Sequence, residues 1–199
     1  DTPPTHVFLQ AGVGSMAGAV AGFISDYYKN NKPIITIIEP NRADCIFRTA
    51  EANDGKLHNV TGSLSTIMAG LACGEPCSIA WEELKAHCEN FISMPDYVAA
   101  KGMRILGNPS GSDARVISGE SGASTIGFVA EVMQNESLDY IRKALKINET
   151  SRILCFSTEG DTDKENYRRI VWEGLYICLA PSKSLKKSVS INSRMLQVS

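Results

Sequence analysis

The chain has 199 residues, 43% hydrophobic and 21% charged, enough for one large domain or two small ones with a sizeable core. This aliphatic content excludes a disordered chain, and no run of about 18 apolar residues is present to cross a bilayer as a helix. Net charge is −2, but four of the 20 Lys+Arg and none of the 22 Asp+Glu lie in the last 19 residues. Residues 1–180 are therefore acidic, with no electrostatic footprint for nucleic acid, which leaves small molecules or other protein chains as partners.

In chain order, Thr5–Gln10 reads as a short strand and Ala11–Ser15 as a Gly-rich turn, followed by helical periodicity over Met16–Tyr28. Pro33 breaks the chain. Ile34–Ile38 is a continuous β-branched run ending at Glu39-Pro40, the pattern of a strand buried on both faces. Strand, turn, helix and buried strand within about 35 residues make a βαβ unit with a right-handed crossover. Further on, Asn41–Glu51 reads as a helix and Leu57–Val60 as a weak strand. Thr66–Glu75 is rich in small residues, and Trp81–Glu89 is helical. Phe91–Met94 reads as a strand leading through Pro95-Asp96 into a helix to Leu106. Gly119–Ala123 reads as a tight turn before an apolar helix over Thr125–Met133. Leu138–Leu145 is amphipathic, Arg152–Phe156 reads as a buried strand, and Asn166–Trp172 as a helix whose N-cap lies in Asp161-Thr162-Asp163. The alternation of β and α defines an α/β class: a three-layer, parallel or mixed sheet with helices on both faces. Residues 1–180 form the domain. Residues 181–199, with six serines and four cations, read as a basic tail that is mobile or loosely packed.

The six cysteines, at 45, 73, 77, 88, 155 and 178, read as free thiols of a reducing compartment, which suggests the cytoplasm. The spacing of Cys73, Cys77, His87 and Cys88 is too irregular for a zinc site, so no metal is expected. His6, His58 and His87 are isolated and read as structural or surface residues. Asn59, Asn135 and Asn148 sit in glycosylation tripeptides, which mean little without a secretory signal.

The chemistry concentrates in Ala11-Gly12-Val13-Gly14-Ser15-Met16-Ala17-Gly18. Small residues between a strand and a helix bring several N–H groups into one concavity, and the helix start adds partial positive charge. Three readings remain open on this window. One is a tight turn that only packs helix on strand. Another is a dinucleotide fingerprint of an NAD(P)-binding oxidoreductase, built from Gly12, Gly14 and Ala17 with Glu39 as the ribose acid. The third is a cradle for one phosphate monoester.

The set Phe8-Leu9-Gln10-Ala11-Gly12-Val13-Gly14-Ser15-Met16-Ala17-Gly18 with Ile37-Ile38-Glu39-Pro40 resembles the phosphate loop and following strand of the fold-type II pyridoxal-phosphate enzymes, the tryptophan synthase β-like superfamily. Four further segments resemble its diaminopropionate ammonia-lyase family: Thr66–Pro76, Ile117–Ala123, Phe156–Asp163 and Tyr167–Gly174. This resemblance covers about Thr5 to Gly174. It implies a Rossmann-like domain, the C-terminal half of such an enzyme. It also implies pyridoxal 5'-phosphate as cofactor, and a lyase forming pyruvate and ammonia by α,β-elimination of 2,3-diaminopropionate, a small amino acid. A homodimer is implied for the full-length protein. The backbone of Ala11, Gly12, Val13, Gly14 and Ser15 would cradle the phosphate, and the Ser157 hydroxyl would face the pyridine nitrogen, leaving it largely unprotonated. Glu120 and Ser121 would lie near the ring. The family's cofactor lysine and proton-handling acids belong to a segment preceding residue 1, so no catalytic residue is assigned. The expectation is a C-terminal part lacking that lysine. Taken alone it would be unstable, because the strands near Val7 and Ile35 would lose neighbours. A non-catalytic truncated relative is the other alternative.

Overall fold

A computed structural model describes residues 2–177 and 189–193. β1 (His6–Gln10), β2 (Ile34–Pro40) and β3 (Asn90–Met94) run parallel, with β4 (Ile153–Cys155) parallel on the outer side of β1. β5 (Ser190–Ser193) pairs antiparallel with β3, which gives the order β4-β1-β2-β3-β5. The register sets Val7 opposite Ile35 and Leu154, and Ile37 opposite Phe91.

Both faces are covered, which is why the central strands are apolar without alternation. Val7, Leu9, Ile35, Ile37 and Phe91 face one layer, with α1 (Ser15–Tyr28), α2 (Cys45–Ala52) and α3 (Ser78–His87). Phe8, Ile38 and Ile92 face the other, with α4 (Asp96–Gly107), α5 (Glu120–Gln134) and α6 (Asp139–Ala144). Three layers with a mixed sheet follow, as the sequence implies. α7 (Lys164–Val171) sits behind α4, with Tyr167 and Ile170 against Ala100 and Met103. The Asp163 side chain caps α7 by accepting from Asn166 N.

Four expectations are corrected. Leu57–Val60 is not a strand; Val60 N instead donates to Gly74 O at 2.7 Å. Gly119–Ala123 is no tight turn, because α5 begins at Glu120. β4 is a short edge strand, with Leu154 37% exposed, rather than a buried one. The strands holding Val7 and Ile35 lie in the middle of the sheet with both neighbours present. Exposed apolar side chains lie elsewhere, among them Phe23 and Tyr27 of α1, which line a hollow with Leu154 and Phe156. Within the tail, residues 190–193 are strand and Val189 is buried. Residues 178–188 and 194–199, and with them Cys178, lie outside the described residues. No helix among the described residues is long and apolar enough to cross a membrane.

Candidate phosphate and cofactor site

The site forms where β1 ends. Ala11 N still donates to Ile38 O at 3.0 Å, continuing the sheet pairing by one residue. Ala11 therefore has no amide to offer a ligand, contrary to the sequence expectation. Beyond it the chain turns away, and among the described residues the N–H groups of Gly12, Val13 and Gly14 find no acceptor. Gly14 holds φ +97° as the N-cap of α1 and accepts from Gly18 N at 2.7 Å. A side chain at Gly14 would be strained and would meet Ile46 Cδ1 at 2.9 Å. The first-turn amides of α1 are free of intrahelical partners and carry the positive end of its dipole.

These groups open onto a pocket of about 350 Å³. Its remaining walls are Gly70, Leu71 and Cys73 on one side and Gln10, Ser121, Thr158 and Glu159 on the other. Among the described residues no Lys or Arg lines it, so backbone amides, hydroxyls and a helix terminus are what these residues offer an anion there. A second helix start, that of α5, meets the same pocket but is already neutralised: Glu159 Oε1 accepts from Ser121 N and from Gly122 N. Two of the lining residues, Gln10 and Ser121, each carry a buried polar atom with no hydrogen-bond partner among the described residues, Oε1 and Oγ. A polar ligand in the pocket would offer them partners.

Ser157 does not line the pocket. Its hydroxyl donates to Ser118 Oγ at 2.8 Å, against the first turn of α5. The adjacent Thr158 does line it, and its Oγ1 accepts from Gln10 Nε2 at 2.9 Å. Glu120 points elsewhere, accepting from Asn166 Nδ2 at 2.6 Å.

Glu39 is fully buried. Its carboxylate accepts from Ile46 N at 3.0 Å and Phe47 N at 2.6 Å, holding the start of α2. Burial pushes its pKa well above the ordinary carboxylate value. It has no free face for a ribose hydroxyl, so the dinucleotide reading on Gly12, Gly14, Ala17 and Glu39 fails. The five described cysteines are free thiols, and among the described residues no His/Cys/Asp/Glu group could hold a metal ion. Gln10, Thr158 and Glu159 were missed from sequence. The Phe156–Asp163 segment was the available signal, but beyond β4 the chain leaves strand geometry, and strand parity no longer says which hydroxyl turns inward.

The family model of pyridoxal-phosphate dependent enzymes matches residues 1–139, and the chain belongs to that family. The sheet is also similar to that of a threonine deaminase from Solanum lycopersicum, at a TM-score of 0.67 and 16% identity over 84% of this chain and 43% of that one. More specifically, the chain is 50% identical over 171 residues to the diaminopropionate ammonia-lyase of Escherichia coli K12, covering 86% of this chain and 42% of the relative. A crystal structure of the Escherichia coli enzyme superposes with a TM-score of 0.80 at 47% identity, over 88% of this chain and 44% of that one. The chain thus spans less than half the length of these relatives. The residues present fit pyridoxal 5'-phosphate: one pocket brings together amides that have no acceptor among the described residues, the start of α1 and side chains with an unpartnered polar atom.

Proposed function

We propose that this chain is the phosphate-binding part of a pyridoxal-phosphate-dependent carbon–nitrogen lyase that converts 2,3-diaminopropionate to pyruvate and ammonia. The observation that carries the reading is the row of amides from Gly12 onward that have no acceptor among the described residues and open, with the α1 terminus, into one pocket. When bound, pyridoxal phosphate supplies the electron sink for loss of the substrate α-proton and the β-amino group. The amides of Gly12, Val13, Gly14 and Ser15 hold the phosphate and so fix the ring's distance from α1. The hydroxyl expected from Ser157 comes instead from Thr158, which lines the same pocket. Glu159 holds the start of α5, and with it Ser121, against the pocket. The close relationship to the Escherichia coli lyase supports the substrate class, a small amino acid. A cytoplasmic homodimer is the assembly we propose for the full-length protein.

The test is a chimaera in which this chain replaces the matching segment of the Escherichia coli enzyme. With pyridoxal phosphate added, it is expected to release pyruvate from diaminopropionate. A folded, cofactor-loaded chimaera that forms no pyruvate would overturn the assignment.

A further inference from the structure

The Gln10 side chain lies between the end of β1 and the loop after β4, and its orientation is decided by chemistry. Its terminal nitrogen sits 3.0 Å from Phe156 O, a carbonyl that can only accept, so that atom is the NH2 group. The second N–H of the same group points at Thr158 Oγ1, 2.9 Å away. The hydroxyl therefore accepts from Gln10, and its own proton must go elsewhere. Among the described residues it has no acceptor, and Thr158 lines the pocket. Meanwhile Gln10 Oε1 stays buried without a donor. Phe156 O imposes this orientation, which turns the NH2 group to Thr158 and leaves Oε1 unpaired among the described residues.

We propose that Gln10 is a positioning residue that, by donating to the Thr158 hydroxyl, leaves that hydroxyl's proton free to be given to the pyridine nitrogen of bound cofactor and so favours the unprotonated form of that nitrogen. This rests on the cofactor reading above. A neutral acceptor nitrogen is stabilised by an O–H donor, whereas a protonated one forgoes that bond and has only the hydroxyl's remaining lone pair to meet. The titratable groups lining the pocket are Cys73 and Glu159, and both are unchanged in the variants below.

The probe is 4′-deoxypyridoxine 5′-phosphate, which carries the ring and phosphate without an aldehyde and needs no lysine. Its absorbance while bound to the 199-residue chain reports protonation of the ring nitrogen. Gln10→Glu offers only acceptors to Thr158, so the hydroxyl donates back to residue 10 and turns a lone pair to the pocket. The nitrogen is expected to titrate about one unit higher or more than in the native chain. Thr158→Val, in the exposed loop, is expected to raise it as well, and serves where Gln10→Glu does not fold. Gln10→Glu is expected to add a smaller shift in the Thr158→Val background than alone, because only its direct charge effect remains. An equal shift in both backgrounds, or none in Thr158→Val, would overturn the role of Gln10. Failure of the native chain to bind the probe would overturn the cofactor reading and this inference with it.

Discussion

Helices α4 and α5 cross with their backbones in contact, and this crossing positions α5, whose Ser121 stands in the pocket wall. A Cβ built on Gly102 would lie 2.0 Å from Ala123 O and 2.8 Å from Gly127 N, where ordinary contact begins at 3.4 Å. Reciprocally, a Cβ on Gly127 would lie 1.9 Å from Val98 O. Both obstacles are main chain, so no side chain can rotate away and the helices must separate by more than an ångström. Gly102→Ala gains about 1 kcal/mol in helix propensity, while overpacking against backbone costs about 3 kcal/mol. The net loss of about 2 kcal/mol lowers the melting temperature by roughly 4–8 °C in a chain of this size. Displaced with α5 are Ser121 and Gly122, which hold Glu159 at the pocket wall. Binding of 4′-deoxypyridoxine phosphate therefore weakens together with stability. Calorimetry and a binding titration on Gly102→Ala measure both. Gly160→Ala, where a Cβ meets nothing within 4 Å, is the control and stays near native. A Gly102→Ala chain as stable as the native one would refute the reasoning.

Three other perturbations have definite outcomes. Glu39, raised well above its ordinary pKa of 4.5 chiefly by burial, binds its proton more tightly folded than unfolded. Its contribution to stability is full below about pH 4.5 and is lost as pH rises toward the folded value, so the native-minus-Glu39→Gln difference in melting temperature falls over that range. A pH-independent difference would contradict this. Among the thiols, Cys77 is shifted down by the Ala80 N–H at the start of α3 and by the Ser15 hydroxyl, whereas burial pushes Cys45 up to about 12 and Cys155 to about 11. Iodoacetamide at neutral pH accordingly labels Cys77 well before Cys45 or Cys155, as read by peptide mass spectrometry, and the reverse order would show the thiol environments to be wrong. Gly14→Ala, strained at φ +97° and crowded by Ile46 and Leu84, weakens phosphate-probe binding tenfold or more, and unchanged affinity would separate the loop from the ligand.

The βαβ unit was legible because its signals are local. Ile34–Ile38 lacks alternation since both faces of β2 are covered, and the small residues after Gln10 leave room only for a turn. β5 was not legible. Ser190–Ser193 has weak strand character of its own and is strand because the free edge of β3 pairs with it. The neighbours of Val7 and Ile35 were misjudged for a similar reason: β4 reaches β1 from about 147 residues away in sequence, and no local pattern encodes that. At the site, the phosphate loop could be read from residue type because backbone amides do the binding. The hydroxyl could not, because the choice between Ser157 and Thr158 depends on Ser118 and Gln10, which come from other elements. Likewise Glu39 has the right residue type and place for a ribose acid, but the α2 amides at Ile46 and Phe47 claim it.

The most direct measurement follows the backbone amides of Gly12, Val13, Gly14 and Ser15 by 15N–1H NMR while pyridoxal 5'-phosphate is titrated in, with unphosphorylated pyridoxal as the comparison. Saturable downfield shifts at these four amides, absent with pyridoxal and with Ala11 little changed because its N–H is held by Ile38 O, are the predicted result. Equal responses to the two compounds, or shifts that leave the loop untouched, would contradict the claim that this turn binds a phosphate.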